Sequence, residues 1–126
     1  MKTKISANGC APATGPFSHA VVTDNLVFTS GQIHLDSEMK LTGGTIEEKT
    51  HQVMKNLQVI LGASGVSFAH VVKTTIYVTD MSIYGKINDI YGSYMSDPYP
   101  VREVICVKEL PLGAEVEISM IATRSI

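Results

Sequence analysis

The sequence predicts a single α+β domain, residues 1–126, in which two helices cover one face of a β-sheet. Three observations support this fold class. Six short segments alternate polar and apolar residues with the period of a strand. Two longer segments repeat apolar residues with the period of a helix. Composition is even along the chain, with no linker and no internal repeat, which indicates a single domain. The predicted order of its elements is β-β-β-α-β-α-β-β.

The first third of the chain is predicted to form three strands. Residues 2–7 alternate polar and apolar side chains, and a loop rich in glycine and proline follows at residues 8–16. Residues 20–22 and 26–29 flank Asp24-Asn25, a dipeptide that suits a tight hairpin. Ser30-Gly31-Gln32 then ends the last of these strands.

Two helices are predicted from their end signals and their apolar periodicity. The first begins at Thr45, because Glu48 three residues later completes a reciprocal capping pattern, and Gly65 suits its end. The second covers about residues 82–95, and Pro98 must follow its end. The apolar residues of the two helices are Ile46, Val53, Leu57, Ile60 and Leu61, then Ile83, Ile87, Ile90, Tyr91 and Tyr94.

The remaining strands are predicted at residues 71–79, 101–107 and 115–122. In the first of them, alternation places Val72, Thr74, Ile76 and Val78 on one face. With helices on one side only, the other sheet face would be bare in a monomer. Only 17% of the residues are charged, so packing of this face against further copies of the chain is expected.

Composition and charge exclude several classes of protein. Ten basic and twelve acidic residues give a net charge of −2 with no basic stripe, so a nucleic-acid partner is not expected. No apolar stretch approaches the roughly 20 residues of a membrane span. Cys10 and Cys106 have neither a disulfide-framework nor a zinc-site spacing, and a cytoplasmic location is expected. The four histidines are scattered, so no metal site is expected.

Arg102 is the most informative charged residue, because it lies inside a predicted strand on the same face as Val104 and Cys106. A guanidinium cannot be deprotonated in a protein and needs a partner. One interpretation is a fork that binds a substrate carboxylate through two parallel hydrogen bonds. The other is a structural ion pair, for which the available acids are Glu103, Glu115 and Glu117.

Other polar positions leave two interpretations open. Glu117 lies in the last strand, where a carboxylate either orients a water beside a cleft or belongs to an ordinary solvated face. Ser30 and Gly31 offer a ligand a hydroxyl and a backbone N–H, although Gly31 also suits a bulge or turn. Asn88 is a poor helix former inside the second helix, and is either functional or simply exposed.

Four segments, in order along the chain, resemble the motifs of the RidA (YjgF/L-PSP) family. They are Ala11-Pro12-Ala13-Thr14-Gly15-Pro16-Phe17-Ser18-His19-Ala20, Phe28-Thr29-Ser30-Gly31-Gln32-Ile33, Val71-Val72-Lys73-Thr74-Thr75, and residues 100–111 continuing to Val116-Glu117-Ile118. The likeness covers almost the whole chain.

The resemblance implies a chorismate-mutase-like fold (bacillus type) and a homotrimer with clefts at the subunit interfaces. It also implies hydrolysis of reactive 2-imino acids, such as 2-iminobutanoate and 2-iminopropanoate, to 2-oxo acids and ammonia, with no metal or organic cofactor. By the same resemblance Arg102 would hold the substrate carboxylate and Glu117 would position or activate the attacking water. The backbone of Gly31 and Val104 would bind the ligand, and the cleft would be lined by Phe17, Ser30 and Asn88.

Three positions depart from the family pattern. Phe17 stands where many relatives have a tyrosine, Val104 replaces a cysteine, and Glu103 replaces a small residue. These departures leave an alternative function open, a non-catalytic trimer that binds small carboxylates. RNA cleavage, attributed to some relatives, fits poorly with the net charge of −2.

Overall fold

The computed structural model of the protein describes residues 1–125 and confirms the α+β class. Two helices, α1 (Ile46–Ala63) and α2 (Tyr84–Tyr94), pack on one seven-stranded sheet. The strands are β1 (Lys2–Ile5), β2 (Ala20–Thr23), β3 (Leu26–Thr29), β4 (Gln32–Ile33), β5 (Val71–Val78), β6 (Val101–Cys106) and β7 (Val116–Thr123). Strand β4 is a two-residue addition to the predicted order.

The strand order in the sheet is β1-β2-β3-β7-β5-β6, and β4 also pairs with β7. All pairs are antiparallel except β5 with β6, which the α2 crossover makes parallel. Strand β7 therefore pairs with β3, β4 and β5 and lies at the centre of the sheet. Strands β6 and β7 are consecutive along the chain but are separated in space by β5.

Local chemistry at the hairpin and at the start of α1 explains why both predictions are confirmed. Thr23 pairs with Leu26 across Asp24-Asn25, and Asp24 adopts a φ of 51°, which a short polar side chain tolerates. The Thr45 hydroxyl accepts the backbone N–H of Glu48 at 3.1 Å, and the Glu48 carboxylate accepts the N–H of Thr45 at 3.4 Å. These reciprocal bonds satisfy donors that a helix N-terminus otherwise leaves free.

The hydrophobic core lies between the two helices and one face of the sheet. It is formed by fully buried side chains of α1, α2 and the central strands, including Val53, Leu57, Ile60, Ile87, Val27, Ile76, Val78 and Ile118. The prediction that Val72 shares this face is wrong. The pairing of β5 with β7 shifts between Val71 and Lys73, and this bulge leaves Val72 43% exposed while Val71 is buried.

The opposite face of the sheet is bare within one chain. A row of paired residues crosses it from Val21 through Phe28, Ile121 and Lys73 to Val101. Phe28 is 38% exposed and Val101 68% exposed. Four of the five residues of this row are apolar, and exposed apolar side chains grouped on one face are typical of a surface that meets another protein. None of the helices in residues 1–125 is long and apolar enough to cross a membrane.

Candidate active site

Arg102 lies on edge strand β6, on the helix-covered face of the sheet, and is held there by neutral oxygen atoms. Its Nη1 donates to Asn88 Oδ1 at 2.6 Å, and its Nη2 donates to the Tyr84 hydroxyl at 2.5 Å. The guanidinium carbon also lies 5.3 Å from the centre of the Tyr91 ring, whose hydroxyl donates to Thr74 Oγ1 at 3.0 Å. Helix α2 therefore orients the Arg102 side chain with neutral groups and leaves its positive charge uncompensated.

The second interpretation of Arg102, a structural ion pair, is wrong for the described residues. Glu103 points to the opposite face and pairs with Lys73 at 3.3 Å, and Glu115 pairs with Lys49 of α1. Arg102 makes no ion pair with any residue of the described range. Its remaining N–H groups face an open cleft of about 470 Å³, lined by Asn88, Tyr91, Gly92, Tyr99, Pro100 and Arg102.

Val104 follows Arg102 on the same strand and packs, partly buried, against the core. Val107, just beyond β6, donates its backbone N–H to Val78 of β5 at 2.8 Å. Backbone polar groups alternate in direction along a strand, so those of Arg102 and Val104 point to the free edge of the sheet. No strand within residues 1–125 pairs with that edge, so it offers backbone donors and acceptors beside the guanidinium.

Glu117 of β7 lies on the bare face of the sheet, against Gly31. Ile33 of β4 pairs with Glu117 and brings Gly31 beside its side chain. A Cβ at residue 31 would lie 2.8 Å from the carboxyl carbon of Glu117, so only glycine leaves the carboxylate in place. Gly31 is therefore explained by this close approach rather than by a turn, since its φ is not positive.

The Glu117 carboxylate is half-buried, and this burial raises its pKa above the ordinary value. Within residues 1–125 it makes no salt bridge. A carboxylate of this kind holds a proton more readily than a solvated one and is a stronger base towards a neighbouring water.

The pocket that Glu117 and Gly31 share is mostly apolar and has a volume of about 260 Å³. Phe17 lies at its rim and is 53% exposed, with Met39 and Leu112 also at the edge. Ser30 has another role in one chain, because its hydroxyl donates to the carbonyl of Ser18 at 2.5 Å and ties down the segment that carries Phe17.

The predicted site residues thus form two groups. Arg102, Asn88 and Val104 lie together at the β6 edge, and Phe17, Gly31 and Glu117 lie together at the β4–β7 pocket. Arg102 shares its face with Thr74, whereas Glu117 shares the opposite face with Tyr77. One chain does not bring the two groups into one cleft.

Two residues of the candidate site, Tyr84 and Tyr91, were not predicted from the sequence. Both contact Arg102, and with Asn88 they are spaced i, i+4 and i+7 along α2. That spacing places all three side chains on one helix face, so it could have indicated that the two tyrosines lie beside Asn88. Among residues 1–125, no group of three or more His, Cys, Asp or Glu side chains is arranged to hold a metal ion.

Comparison with known proteins identifies the family. Residues 9–124 match the family described as Endoribonuclease L-PSP. The chain belongs to this family. The L-PSP family relatives include Reactive Intermediate Deaminase A, chloroplastic, from Arabidopsis thaliana, which is 42% identical over 97% of the chain and 66% of its own length. The 2-iminobutanoate/2-iminopropanoate deaminase of Mus musculus is 41% identical over 98% of the chain and 93% of its own length.

Solved structures of L-PSP family members share the fold. TdcF of E. coli, solved with bound serine, superposes with a TM-score of 0.91 at 28% identity, covering 98% of this chain and 99% of its own. The resemblance to the RidA (YjgF/L-PSP) family that the motifs indicated is confirmed.

Proposed function

We propose that the protein is a 2-imino acid deaminase that hydrolyses substrates such as 2-iminobutanoate and 2-iminopropanoate to 2-oxo acids and ammonia. One observation carries the proposal. Arg102 is oriented by Asn88 and Tyr84, is not neutralised by any described carboxylate, and faces an open cleft. The deaminase names of relatives about 40% identical to the chain support the same activity.

Arg102 would bind the substrate carboxylate. A guanidinium forms two parallel hydrogen bonds with a carboxylate, which fixes both the position and the plane of the substrate. The bound serine in the related E. coli protein is a small molecule with an α-carboxylate, so it belongs to the ligand class proposed here.

Glu117 would act on the attacking water. With the imine protonated on nitrogen, the carboxylate takes one proton from the water as the water oxygen bonds to the imine carbon and the C=N electron pair moves to nitrogen, which gives a carbinolamine. The carboxyl group then returns that proton to the amine. As the carbon–nitrogen bond breaks and ammonia leaves, the carboxylate takes the hydroxyl proton and the carbonyl of the 2-oxo acid forms. Its raised pKa makes the Glu117 carboxylate a stronger base towards water than a solvated glutamate. Imines hydrolyse spontaneously in water, so holding the substrate beside an oriented water supplies enough acceleration.

The complete cleft would form between copies of the chain, in a homotrimer. Arg102 and Glu117 lie on opposite sheet faces of one chain, so a cleft that contains both requires a neighbouring chain. The exposed apolar row that includes Phe28 and Val101 provides a surface for such packing. The cytoplasmic location and the absence of a nucleic-acid partner stay predictions from composition.

A coupled assay with a purified amino acid dehydratase tests the activity. Semicarbazide traps the imine as the dehydratase releases it, and an active protein diverts imine from the semicarbazone to the 2-oxo acid. Arg102→Ala should lose this effect. Lys55→Ala, which removes an exposed lysine of α1, is the matched control and should keep it.

Three results would contradict parts of this proposal. Binding of 2-oxobutanoate in calorimetry without any diversion of imine would favour the non-catalytic carboxylate-binding trimer. RNA cleavage that disappears in Arg102→Ala would favour the nuclease activity in the family's description. A monomer in sedimentation velocity would contradict the shared cleft.

A further inference from the structure

His34 is a buried histidine directly after β4, with only 2% of its surface exposed. Its Nδ1 lies 3.0 Å from the carbonyl oxygen of Thr42, so Nδ1 must carry the proton and donate it. Its Nε2 lies 3.1 Å from the backbone N–H of Glu115 and accepts it. The two bonds fix a neutral imidazole with a single tautomer.

The bond to Glu115 continues the β4–β7 ladder by means of a side chain. The last backbone pair of that ladder joins Ile33 to Glu117. The His34 ring then takes the N–H of Glu115, two residues before Glu117 on β7. On the opposite edge, the carbonyl of Glu115 accepts the N–H of Thr79 at 3.3 Å. The start of β7 is therefore held on both sides.

Polar side chains of α1 also bond to the region around His34, at the end of β4 and the start of β7. Lys49 pairs with the Glu115 carboxylate. Buried Asn56 donates to the carbonyls of Leu35 at 2.8 Å and Ile33 at 3.3 Å, and Gln52 donates to Asn56 at 2.9 Å. These α1 side chains hold the end of β4 in place. A displacement of the His34 ring would therefore move the start of β7 rather than β4.

We infer that His34 is a positioning residue for Glu117, and that its neutral imidazole keeps the carboxylate seated against Gly31. Protonation of Nε2 removes the acceptor for the Glu115 N–H and releases the start of β7. The consequence for catalysis rests on the proposed deaminase function, whereas the coupling between His34 and Glu117 does not.

The surroundings of the ring favour the neutral form at neutral pH. Burial lowers the pKa of His34, and the nearby Lys49 ammonium lowers it further, whereas the Thr42 carbonyl and the Glu115 carboxylate act in the opposite direction. The imidazole therefore stays neutral down to a lower pH than a solvated histidine does.

Two variants and a matched control test the positioning role. His34→Gln keeps a side-chain oxygen able to accept the Glu115 N–H, and His34→Leu fills the space without an acceptor. His70→Ala is the control, since His70 also accepts a backbone N–H, that of Ser67 at 3.1 Å, but at the far end of β5 from Glu117. We expect His34→Leu to lower kcat roughly 10- to 100-fold with little change in KM, since misplacement of a catalytic group by about 1 Å has effects of this size. His34→Gln should restore most of kcat, and His70→Ala should keep it.

Nuclear magnetic resonance provides a readout that does not depend on activity. In the unmodified protein, the Glu115 amide and the Glu117 carboxyl carbon should both shift with the titration of His34. In His34→Leu the pKa of Glu117 should fall towards its ordinary value as water reaches the carboxylate, and in His34→Gln it should stay raised.

The inference is overturned if titration of His34 leaves the Glu115 and Glu117 resonances unchanged, a measurement that needs no variant to fold. It is also overturned if His34→Leu keeps full kcat, or if His70→Ala loses as much as His34→Leu. If the unmodified protein hydrolyses no imine, the deaminase proposal fails, and the resonance titration still decides the role of His34.

Discussion

Arg102 and Glu117 lie on opposite faces of one sheet, with β5 between the strands that carry them. Each residue belongs to its own group of predicted ligand-binding side chains. A cleft that uses both must take the arginine from one chain and the glutamate from another. Two inactive variants, one lacking the arginine and one lacking the glutamate, test whether a cleft is shared between chains.

Mixing Arg102→Ala and Glu117→Gln chains should restore activity. After co-refolding into random trimers, about one quarter of the clefts combine an intact Arg102 with an intact Glu117, so about one quarter of the wild-type activity is expected. The semicarbazide assay measures the recovery, with each variant refolded alone as the control. Mixed trimers seen by native mass spectrometry but without activity would contradict a shared cleft.

Arg102→Lys should be far less active than the wild type although it keeps the positive charge. An ammonium cannot reach Asn88, Tyr84 and a substrate carboxylate with the geometry of a planar fork. We expect kcat/KM to fall roughly 10- to 100-fold, because a hydrogen bond to a charged group contributes about 1.5–3 kcal/mol. Kinetics with one imine substrate measure the loss, and a lysine variant with full activity would argue against bidentate binding.

Glu117→Gln should lose activity and gain stability at neutral pH. Burial raises the pKa of Glu117 in the folded chain, so between its ordinary and its raised pKa the folded state binds more protons than the unfolded state. The free energy of unfolding therefore falls as pH rises through that window, and it stays lowered above it. Glutamine is neutral throughout and lacks this penalty.

Denaturant unfolding at matched protein concentration, at pH 7 and again at pH 4, measures this effect. The stability gain of Glu117→Gln should be present at pH 7 and should shrink at pH 4. Glu109→Gln, at an exposed position, is the control and should show no such pattern. A Glu117→Gln protein less stable than the wild type at pH 7 would show that the carboxylate has a structural role.

Gly31→Ala should reduce kcat with little effect on stability. The new methyl group would lie 2.8 Å from the carboxyl carbon of Glu117, and a flexible side chain can move away at small cost. Gly62→Ala is the matched control, because nothing lies within 4 Å of its Cβ position in α1. It should keep full activity and gain up to about 1 kcal/mol of stability from helix propensity. Thermal unfolding and the imine assay check both variants, and full activity in Gly31→Ala would contradict the seating of Glu117 against residue 31.

The parts of the fold that depend on local chemistry could be predicted from the sequence. The capping residues Thr45 and Glu48 define the start of α1, and Asp24-Asn25 defines the hairpin. The Val72 bulge could not be predicted, because strand alternation continues through it and only the pairing with β7 reveals the extra residue.

The resemblance predicted both the candidate site residues and clefts at the subunit interfaces, and their roles stay predictions; the residue pattern itself does not show which of these residues lie together. The motifs indicated Arg102, Glu117, Gly31 and Asn88, yet the insertion of β5 between β6 and β7 separates the first two. Strand order depends on which edge each returning strand joins, and no local pattern specifies that choice. The bond between His34 and the Glu115 N–H spans 81 positions of the chain, so the sequence showed only one of four scattered histidines.

The central place of β7 also has a consequence for biosynthesis. Before residues 116–123 have been translated, β3 can pair only with β2, β5 can pair only with β6, and β4 lacks its partner β7. The two parts of the sheet therefore cannot join while the earlier part of the chain leaves the ribosome. Premature termination before Val116 would leave two long-lived strand edges exposed to other nascent chains. Such fragments are expected to aggregate or to be degraded, and a tag placed after β7 would report only on chains able to complete the sheet.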